Sequence, residues 1–368
     1  MGKQAVTIVD VAKAAGVSPS TVSHALSGKR EISRPVKERI FEKIRELDYR
    51  PSFYAQAMKS NSTGMIGVVV NECRNPGTSL FIDSLAAELE KYSYKIVVGL
   101  AGLNHRKGAE LLRHFSAGLV DGVFNLLPQI TPEEAQVLCG STPVVTNIRD
   151  RSIPIRLDYD KLTWTILHYL RDLGHRRIGY ISSPTRDPRR PDSEATRQIM
   201  AEFLQKYGEE FDPRLVVEGD DSIEGGVSGT EQIMNHGDVT AIFAGNDQTA
   251  FGIYRWAYLN GVQIPDDLSV IGFDDVPQAA TLIPPMTTVR FPVQEIVAHT
   301  VKLLIAKLRN ETLPPGQISL EMPLVIRNSV ADRNPCSRKS WNKTISGKQI
   351  STLNPRERTS TERSMTCQ

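Results

Sequence analysis

The sequence predicts two unlike folds in one chain, a small all-α unit at the amino terminus followed by a larger α/β body of two subdomains. Three observations carry this. Residues 7–28 (TIVDVAKAAGVSPSTVSHALSG) hold two short helical patterns joined at Gly16, with a third pattern over 33–47. From Met65 onward, short β-branched runs alternate with amphipathic helical stretches, and the alternation restarts after Asp158. At 368 residues the chain exceeds one ordinary domain, for which ~100 to 200 residues is usual.

Thr7 and Asp10 form a T-x-x-D capping box, so a helix starts there, with Ile8, Val11, Ala12 and Ala15 as its buried stripe. Gly16 ends it. Ser18 is an N-cap with Pro19 at the first helical position, where a missing N–H costs nothing, and Val22, Ala25 and Leu26 face inward. Ser20, Thr21, Ser23 and His24 stay outside. A third helix, capped by Ser33 and striped by Val36, Ile40, Ile44 and Leu47, supplies the apolar layer that two short helices lack. Helical spacing alone also fits any small bundle whose second helix happens to be polar.

Charge separates these readings. Residues 1–60 carry 11 Lys and Arg against 6 Asp and Glu, a net of +5. Phosphate contacts supply most non-specific affinity for duplex DNA, so a basic helical unit with an exposed polar helix suits a major groove. Residues 52–63 (SFYAQAMKSNST) offer a helix of only eight residues. Helices below about 12 residues are marginal in water, so this linker is expected to fold only on DNA.

The body then reads MIGVVV, a helix over 79–92, KIVVGL, a helix over 106–118, DGVFNLL, a helix over 132–139 and PVVTN. The second half repeats the scheme: a helix over 161–173, RIGYIS, 192–207, LVVEG, 226–236, AIFAGN, 248–260, LSVIGF and a last helix near 293–309. Such alternation predicts parallel sheets covered on both faces, with a ligand cleft at the carboxyl ends of the strands. Residues 333–368 hold 8 basic and 2 acidic residues with few apolar ones, and a solvated extension is expected. With +6 there and +5 at the front, an overall +2 leaves the middle at −9.

Other classes are poorly supported. No apolar run approaches the roughly 20 residues of a membrane span, and no signal-peptide core is present, so a cytoplasmic protein without membrane contact is expected. Cys73, Cys139, Cys336 and Cys367 lie far apart, which suggests neither a zinc site nor a disulfide framework. Phosphate-loop, dinucleotide, H-E-x-x-H and G-x-S-x-G motifs are missing, and adjacent Asp274 and Asp275 near a strand end point in different directions, so no cofactor and no catalysis are expected.

The run T-I-x-D-V-A-x-x-A-G-V-S-x-x-T-V-S at 7–23, Y-x-P at 49–51, IGVVV at 66–70, LGHRRIGYI at 173–181, ND at 246–247 and SVIGFDD at 269–275 stand in one order. On these the chain resembles the lactose-repressor (LacI/GalR) family of bacterial transcription regulators over roughly residues 5–332. The resemblance implies a helix-turn-helix DNA-binding domain at 5–51, a hinge at 52–63 and a bilobed effector and dimerisation domain, similar to periplasmic sugar-binding proteins, at 64–332. It implies a homodimer on a palindromic operator, governed by a small-molecule effector.

By the same resemblance, Pro19, Ser20 and His24 read bases. Pro19 offers only apolar contact, Ser20 is permissive, and His24 stands where Arg is common in the family and meets a purine acceptor edge. Thr7, Ser18, Thr21, Ser23 and Lys29 are assigned to phosphates. Ala55, Met58 and Lys59 belong to the minor-groove hinge, where Met58 replaces a wedging Leu or else packs on the body. Arg197, Asn246 and Asp274 are the matching effector ligands, with an Arg197–Asp274 ion pair as the other reading. Elsewhere the family pattern fails: N-P-F-F is Asn75, Pro76, Gly77, Thr78; I-D-R is Asn147, Ile148, Arg149; D-N is Asp158, Tyr159; and an aromatic after G-D is Asp221. Two aromatic platforms and a carboxylate are lost, so a simple hexose is less secure here than in a typical member; the expected effector is a carbohydrate or related metabolite, with a polar, cationic or phosphorylated ligand also open. A soluble small-molecule binding protein whose first module makes protein contacts is the rival reading.

Overall fold

A reciprocal cap opens the amino-terminal unit. In the computed structural model, which describes residues 6–28, 30–50, 62–146, 155–184, 193–312 and 318–334, Thr7 N donates to Asp10 Oδ2 at 2.8 Å and Asp10 N donates to Thr7 Oγ1 at 3.4 Å. Helix α1 (Ile8–Ala15) follows and stops at Gly16, whose φ of 62° suits a residue without Cβ. Ser18 caps α2 (Pro19–Ser27), which ends at Gly28 with φ 67°. Helix α3 (Arg34–Glu46) starts after Ser33, but the expected side-chain cap is not made there. Pro35 in the first turn, with φ already fixed, sets that entry instead.

Val11, Ala12, Ala15, Val22, Ala25 and Ile40 form the core of this unit, with Val36, Ile44, Leu47 and Tyr49 around them. Burying a Val or Ile side chain contributes about 1.5–3 kcal/mol, so so small a core needs polar help. Arg39 supplies some: its Nε donates to the Ala15 carbonyl at 2.9 Å, satisfying an end-of-helix acceptor of α1 from α3.

The first lobe of the body runs β1 (Met65–Val70), α4 (Pro76–Glu90), β2 (Lys95–Leu100), α5 (His105–His114), β3 (Gly122–Asn125), α6 (Pro132–Cys139) and β4 (Val144–Thr146). Its strands are parallel in the order β2-β1-β3-β4. Ile66, Val68 and Val70 point to one face, against α4, while Val69 points to the other, against Leu112 and Phe115. This two-faced burial explains why β1 reads as a continuous apolar run. The helix expected over 106–118 ends earlier, because Phe115–Leu119 form a π turn containing Gly118 at φ 93°.

The second lobe begins with β5 (Ile155–Leu157) and α7 (Tyr159–Asp172), then runs β6 (Ile178–Ser182), α8 (Ser193–Lys206), β7 (Val216–Glu218), α9 (Ile223–Met234), β8 (Ala241–Ala244), α10 (Asp247–Leu259), β9 (Ser269–Asp274) and β10 (Thr287–Arg290). The chain returns to the first lobe with α11 (Val293–Arg309), whose Val297, Val301 and Leu304 pack beside β1 and α4. It then passes back through β11 (Ile318–Leu320) to β12 (Leu324–Val325). The second sheet has the order β12-β10-β9-β8-β6-β7, with β12 antiparallel, and β11 pairs with β5 in a separate parallel ribbon. The alternating runs predict the strands from β1 to β4 and from β6 to β9; β5, β10, β11 and β12 lie outside those runs.

Helices α9 and α10 cross at a glycine pair. A Cβ on Gly226 would collide with the Thr249 carbonyl oxygen and stand 2.9 Å from Gly252 Cα. At the carboxyl end, Arg333 belongs to the packed body rather than to a solvated extension. Its Nη2 donates to the Asp266 and Asp267 carbonyls at 2.8 and 2.6 Å, and Asn334 Nδ2 donates to the Asp172 carbonyl at 2.9 Å. The rest of that extension, 335–368, lies outside the described residues.

Candidate nucleic-acid interface and interlobe cleft

Helix α2 has nine residues, too few to persist alone, and is held by Val22 and Ala25 against α1 and α3. That leaves Ser18, Pro19 and Ser20 exposed and Thr21, Ser23 and His24 half-exposed, a continuous polar face. Ser18 Oγ accepts from Thr21 N at 3.2 Å and lies 2.7 Å from Ser20 Oγ and 2.8 Å from Thr21 Oγ1. Three hydroxyls therefore gather at the helix amino terminus, where free N–H groups and the helix dipole favour an anion such as phosphate. Thr7 Oγ1 is engaged with Asp10 Oδ2 at 2.7 Å. Lys29 and the hinge residues Ala55, Met58 and Lys59 lie outside the described residues.

The structure adds an anchor where the linker enters the body. Asp121, just before β3, accepts from Ser62 Oγ (2.5 Å), Thr63 N (2.7 Å), Thr63 Oγ1 (2.9 Å) and Gly64 N (3.0 Å). A carboxylate with four donors fixes the backbone direction leading into β1. Nothing in the local sequence marks this residue, because its partners are nearly sixty positions away.

Between the lobes, at the carboxyl ends of both sheets, lies a cleft of about 840 Å³. Asn246 and Asp274 line it, as does Asp221. Asn246 caps α10, its Oδ1 accepting from Thr249 N at 2.7 Å, and its Nδ2 donates to Asp221 Oδ1 at 2.8 Å. Arg197 is not brought to this group. The register of α8 turns its guanidinium onto β7, where it donates to the Val216 carbonyl at 2.7 Å and to Glu194 at 3.4 Å rather than pairing with Asp274. The expected trio is thus a pair joined by Asp221.

Asp274 leaves β9 at φ 126° and Asp275 follows at φ 58°, both in the region that strains residues bearing Cβ. Asp275 is held by Arg290 Nε at 2.8 Å and Arg327 Nη2 at 2.6 Å. Beside it, Asp247 is buried, accepting from Thr288 Oγ1 at 2.6 Å and Val276 N at 2.9 Å. Burial pushes its carboxyl up to about 6 despite those donors. A Cβ on Gly77 would stand only 3.2 Å from Asp274 Oδ2, so glycine here lets the Asp274 carboxylate approach the amino terminus of α4 across the cleft.

Gly77, Thr78 and Asp221, which stand where the family has aromatics, line the cleft, and aromatic rings from other positions line it as well. Phe81, Tyr159 and Phe291 line it, and Tyr159 stacks on Phe273 at 6.2 Å between centroids. Sequence reasoning missed Phe81, Phe291, Glu72, Asp220 and Glu218. The signal for three of them lay at the strand ends, where ligands of such sheets bind: Glu72 follows β1, Glu218 closes β7 and Asp220 follows it.

A basic trihelical unit with an exposed polar helix, joined to a bilobed α/β body with a polar cleft, defines a DNA-binding regulator. The model of bacterial regulatory proteins of the lacI family matches residues 7–52, and a periplasmic binding protein-like domain matches 167–330. The ribose operon repressor of Escherichia coli (strain K12) is 30% identical over 332 residues, covering 88% of this chain and 99% of the relative. Catabolite control protein A of Priestia megaterium is 29% identical over 334 residues, with the same coverages. A solved cellobiose complex of the transcriptional regulator CelR is 26% identical, with a TM-score of 0.63 over 88% of this chain and 99% of that one. A lac repressor dimer bound to operator and the anti-inducer ONPF shares the fold, at 24% identity and a TM-score of 0.72 over 89% of this chain and 100% of that one. The chain belongs to the lacI family of bacterial transcription regulators.

Proposed function

We propose that this regulator is a repressor that binds a roughly palindromic operator in the cytoplasm as a homodimer, without enzymatic activity, and is switched by a small molecule in the interlobe cleft. The observation that carries it is the polar outer face of α2, capped at both ends on a basic three-helix support. In this reading Pro19, Ser20 and His24 meet base edges; Thr7, Ser18, Thr21, Ser23 and Lys29 meet phosphates; Ala55, Met58 and Lys59 enter the minor groove. The units are 5–51, 52–63 and a body from 64 that continues through Asn334. Asn246 and Asp274 hold the effector, and Arg197 buttresses β7.

Dimerisation is supported by apolar side chains left in water on both lobes. Val98 and Leu100 are exposed on the edge strand β2, and Tyr258, Leu259 and Ile283 are exposed on the second lobe, Ile283 at 93%. A lone helix-turn-helix buries too little to choose one site in a genome, and two-fold pairing doubles the contact. Selection of bound duplexes from a random pool tests the reading. Enriched sequences should show inverted half-sites, and affinity should fall steeply between low and moderate salt. Recovery of no preferred duplex over genomic competitor overturns it.

A further inference from the structure

We infer that His24 selects guanine as a cation, so that operator binding takes up one proton at each half-site. The inference rests on the base-reading role proposed for His24 above and concerns how that role is chosen and regulated. The outer face of α2 offers few directional groups. Ser18 Oγ lies 2.7 Å from Ser20 Oγ and 2.8 Å from Thr21 Oγ1, so these hydroxyls satisfy one another, and Pro19 has no polar side-chain atom. A hydroxyl also donates and accepts alike, so it discriminates weakly between bases. The His24 ring, half-exposed on the same face, has no hydrogen-bond or ion-pair partner among the described residues. Both of its nitrogens are therefore open to a base edge.

The surroundings favour the charged ring. His24 stands in the last turn of α2, where the helix dipole favours a positive charge, and that helix carries no other titratable side chain. Helices α1 and α3 pack against α2, and their acids are engaged elsewhere: Asp10 with Thr7, Glu38 with Arg34 and Glu46 with Lys43. Neither the remaining acids, Glu31 and Glu42, nor the cations Lys13, Arg30, Lys37, Arg39 and Arg45 pair with the ring. The phosphates of a duplex are thus the anions that the ring meets on binding. A polyanion holds the charged ring more tightly than the neutral one, which links DNA binding to protonation. Imidazole is the side chain whose ordinary titration falls between pH 5 and 8, and His24 is the only histidine in residues 1–60. Charge also sets the base. An imidazolium donates from both nitrogens and accepts nothing, so it fits the N7 and O6 acceptors of guanine and opposes the amino groups that adenine and cytosine present.

The test titrates the full chain against the duplex enriched from the random pool, by fluorescence anisotropy at fixed ionic strength from pH 8 to pH 6. Affinity of the native chain should rise about tenfold or more over that range, with two half-sites acting together. His24→Gln, which keeps a donor without the charge, and His24→Arg, charged throughout, should both lose this rise. Selection repeated with His24→Gln marks the guanines whose enrichment depends on the ring. Replacing those guanines by 7-deazaguanine should remove the rise in the native chain; a rise that survives the replacement overturns the choice of base. A flat native profile, or an equal rise in the native chain and both variants, overturns the inference, and the operator reading stands if inverted half-sites are still enriched. No preferred duplex at either pH overturns both.

Discussion

Asp121→Asn is the sharpest test of how the linker is tied to the body. The native carboxylate takes two donors on each oxygen: Thr63 N and Oγ1 on Oδ1, Ser62 Oγ and Gly64 N on Oδ2. An amide has one oxygen, so its NH2 must face one backbone N–H, of Thr63 or of Gly64, whichever way it turns, while the hydroxyl on that side can rotate to accept. A hydrogen bond to a charged group is worth about 1.5–3 kcal/mol net, and the half-exposed setting favours the low end. Losing one predicts about 1.5–3 kcal/mol, or ~10- to 100-fold more local opening, at 1.4 kcal/mol per tenfold. Amide hydrogen exchange at Thr63 and Gly64 reads this directly, since both amides donate to Asp121. The β1 amides beyond, bonded within the sheet, should keep their protection. Unchanged exchange at 63 and 64, or an equal loss along all of β1, would refute the anchor.

Four further outcomes are expected. His24→Ala should relax sequence preference, while Lys29→Ala should weaken cognate and scrambled duplex alike; parallel losses for both rule out the division between base and phosphate contacts. His175 is buried, and its Nε2 must donate to the Ala331 carbonyl at 3.1 Å, leaving Nδ1 to accept from Thr240 Oγ1 at 2.9 Å. Burial lowers its pKa to about 4, so its contribution, roughly 3 kcal/mol, is present above pH 6.5 and lost as pH falls towards 4. Asp247, raised to about 6, has the opposite sign and loses its contribution as pH rises from 3.8 through 6. Urea midpoints of the native chain should therefore change little between pH 4 and 6, whereas His175→Gln should gain stability on acidification and Asp247→Asn should lose it. Arg39→Met should cost about 1 kcal/mol by releasing the Ala15 carbonyl, seen as early melting of the amino-terminal unit. Gly226→Ala should cost about 3 kcal/mol or more, because a Cβ there meets the backbone of α10; a melting temperature within a degree of the native chain contradicts that packing.

Local chemistry was readable where it is written in adjacent residues. The Thr7–Asp10 box, Gly16, Ser18 and Pro19 specify their helices through contacts three or four positions apart, and the structure repeats them. The apolar runs of β1, β3, β6, β8 and β9 are equally plain because each is covered on both faces. What stayed hidden depends on long-range placement. The Asp121 anchor, the return of α11 to the first lobe and the Asn246–Asp221 bond each join segments at least twenty-five positions apart. Arg197 shows the limit of matching positions: the residue type is kept, but the register of α8 decides where its guanidinium goes. The cleft's charge was countable in the sequence only once the strand ends were known to converge.

The chain passes from one lobe to the other three times: after β4, between β10 and α11, and after α11. Two of these passages, β5 and β11, are laced together by their own backbone bonds from Ile155–Ile318 to Leu157–Leu320. Strands joined in this way resist sliding past one another far more than they resist bending together. Whatever settles in the gap can therefore act on the distant helices chiefly by setting one angle, the way a thumb sets a clothes-peg.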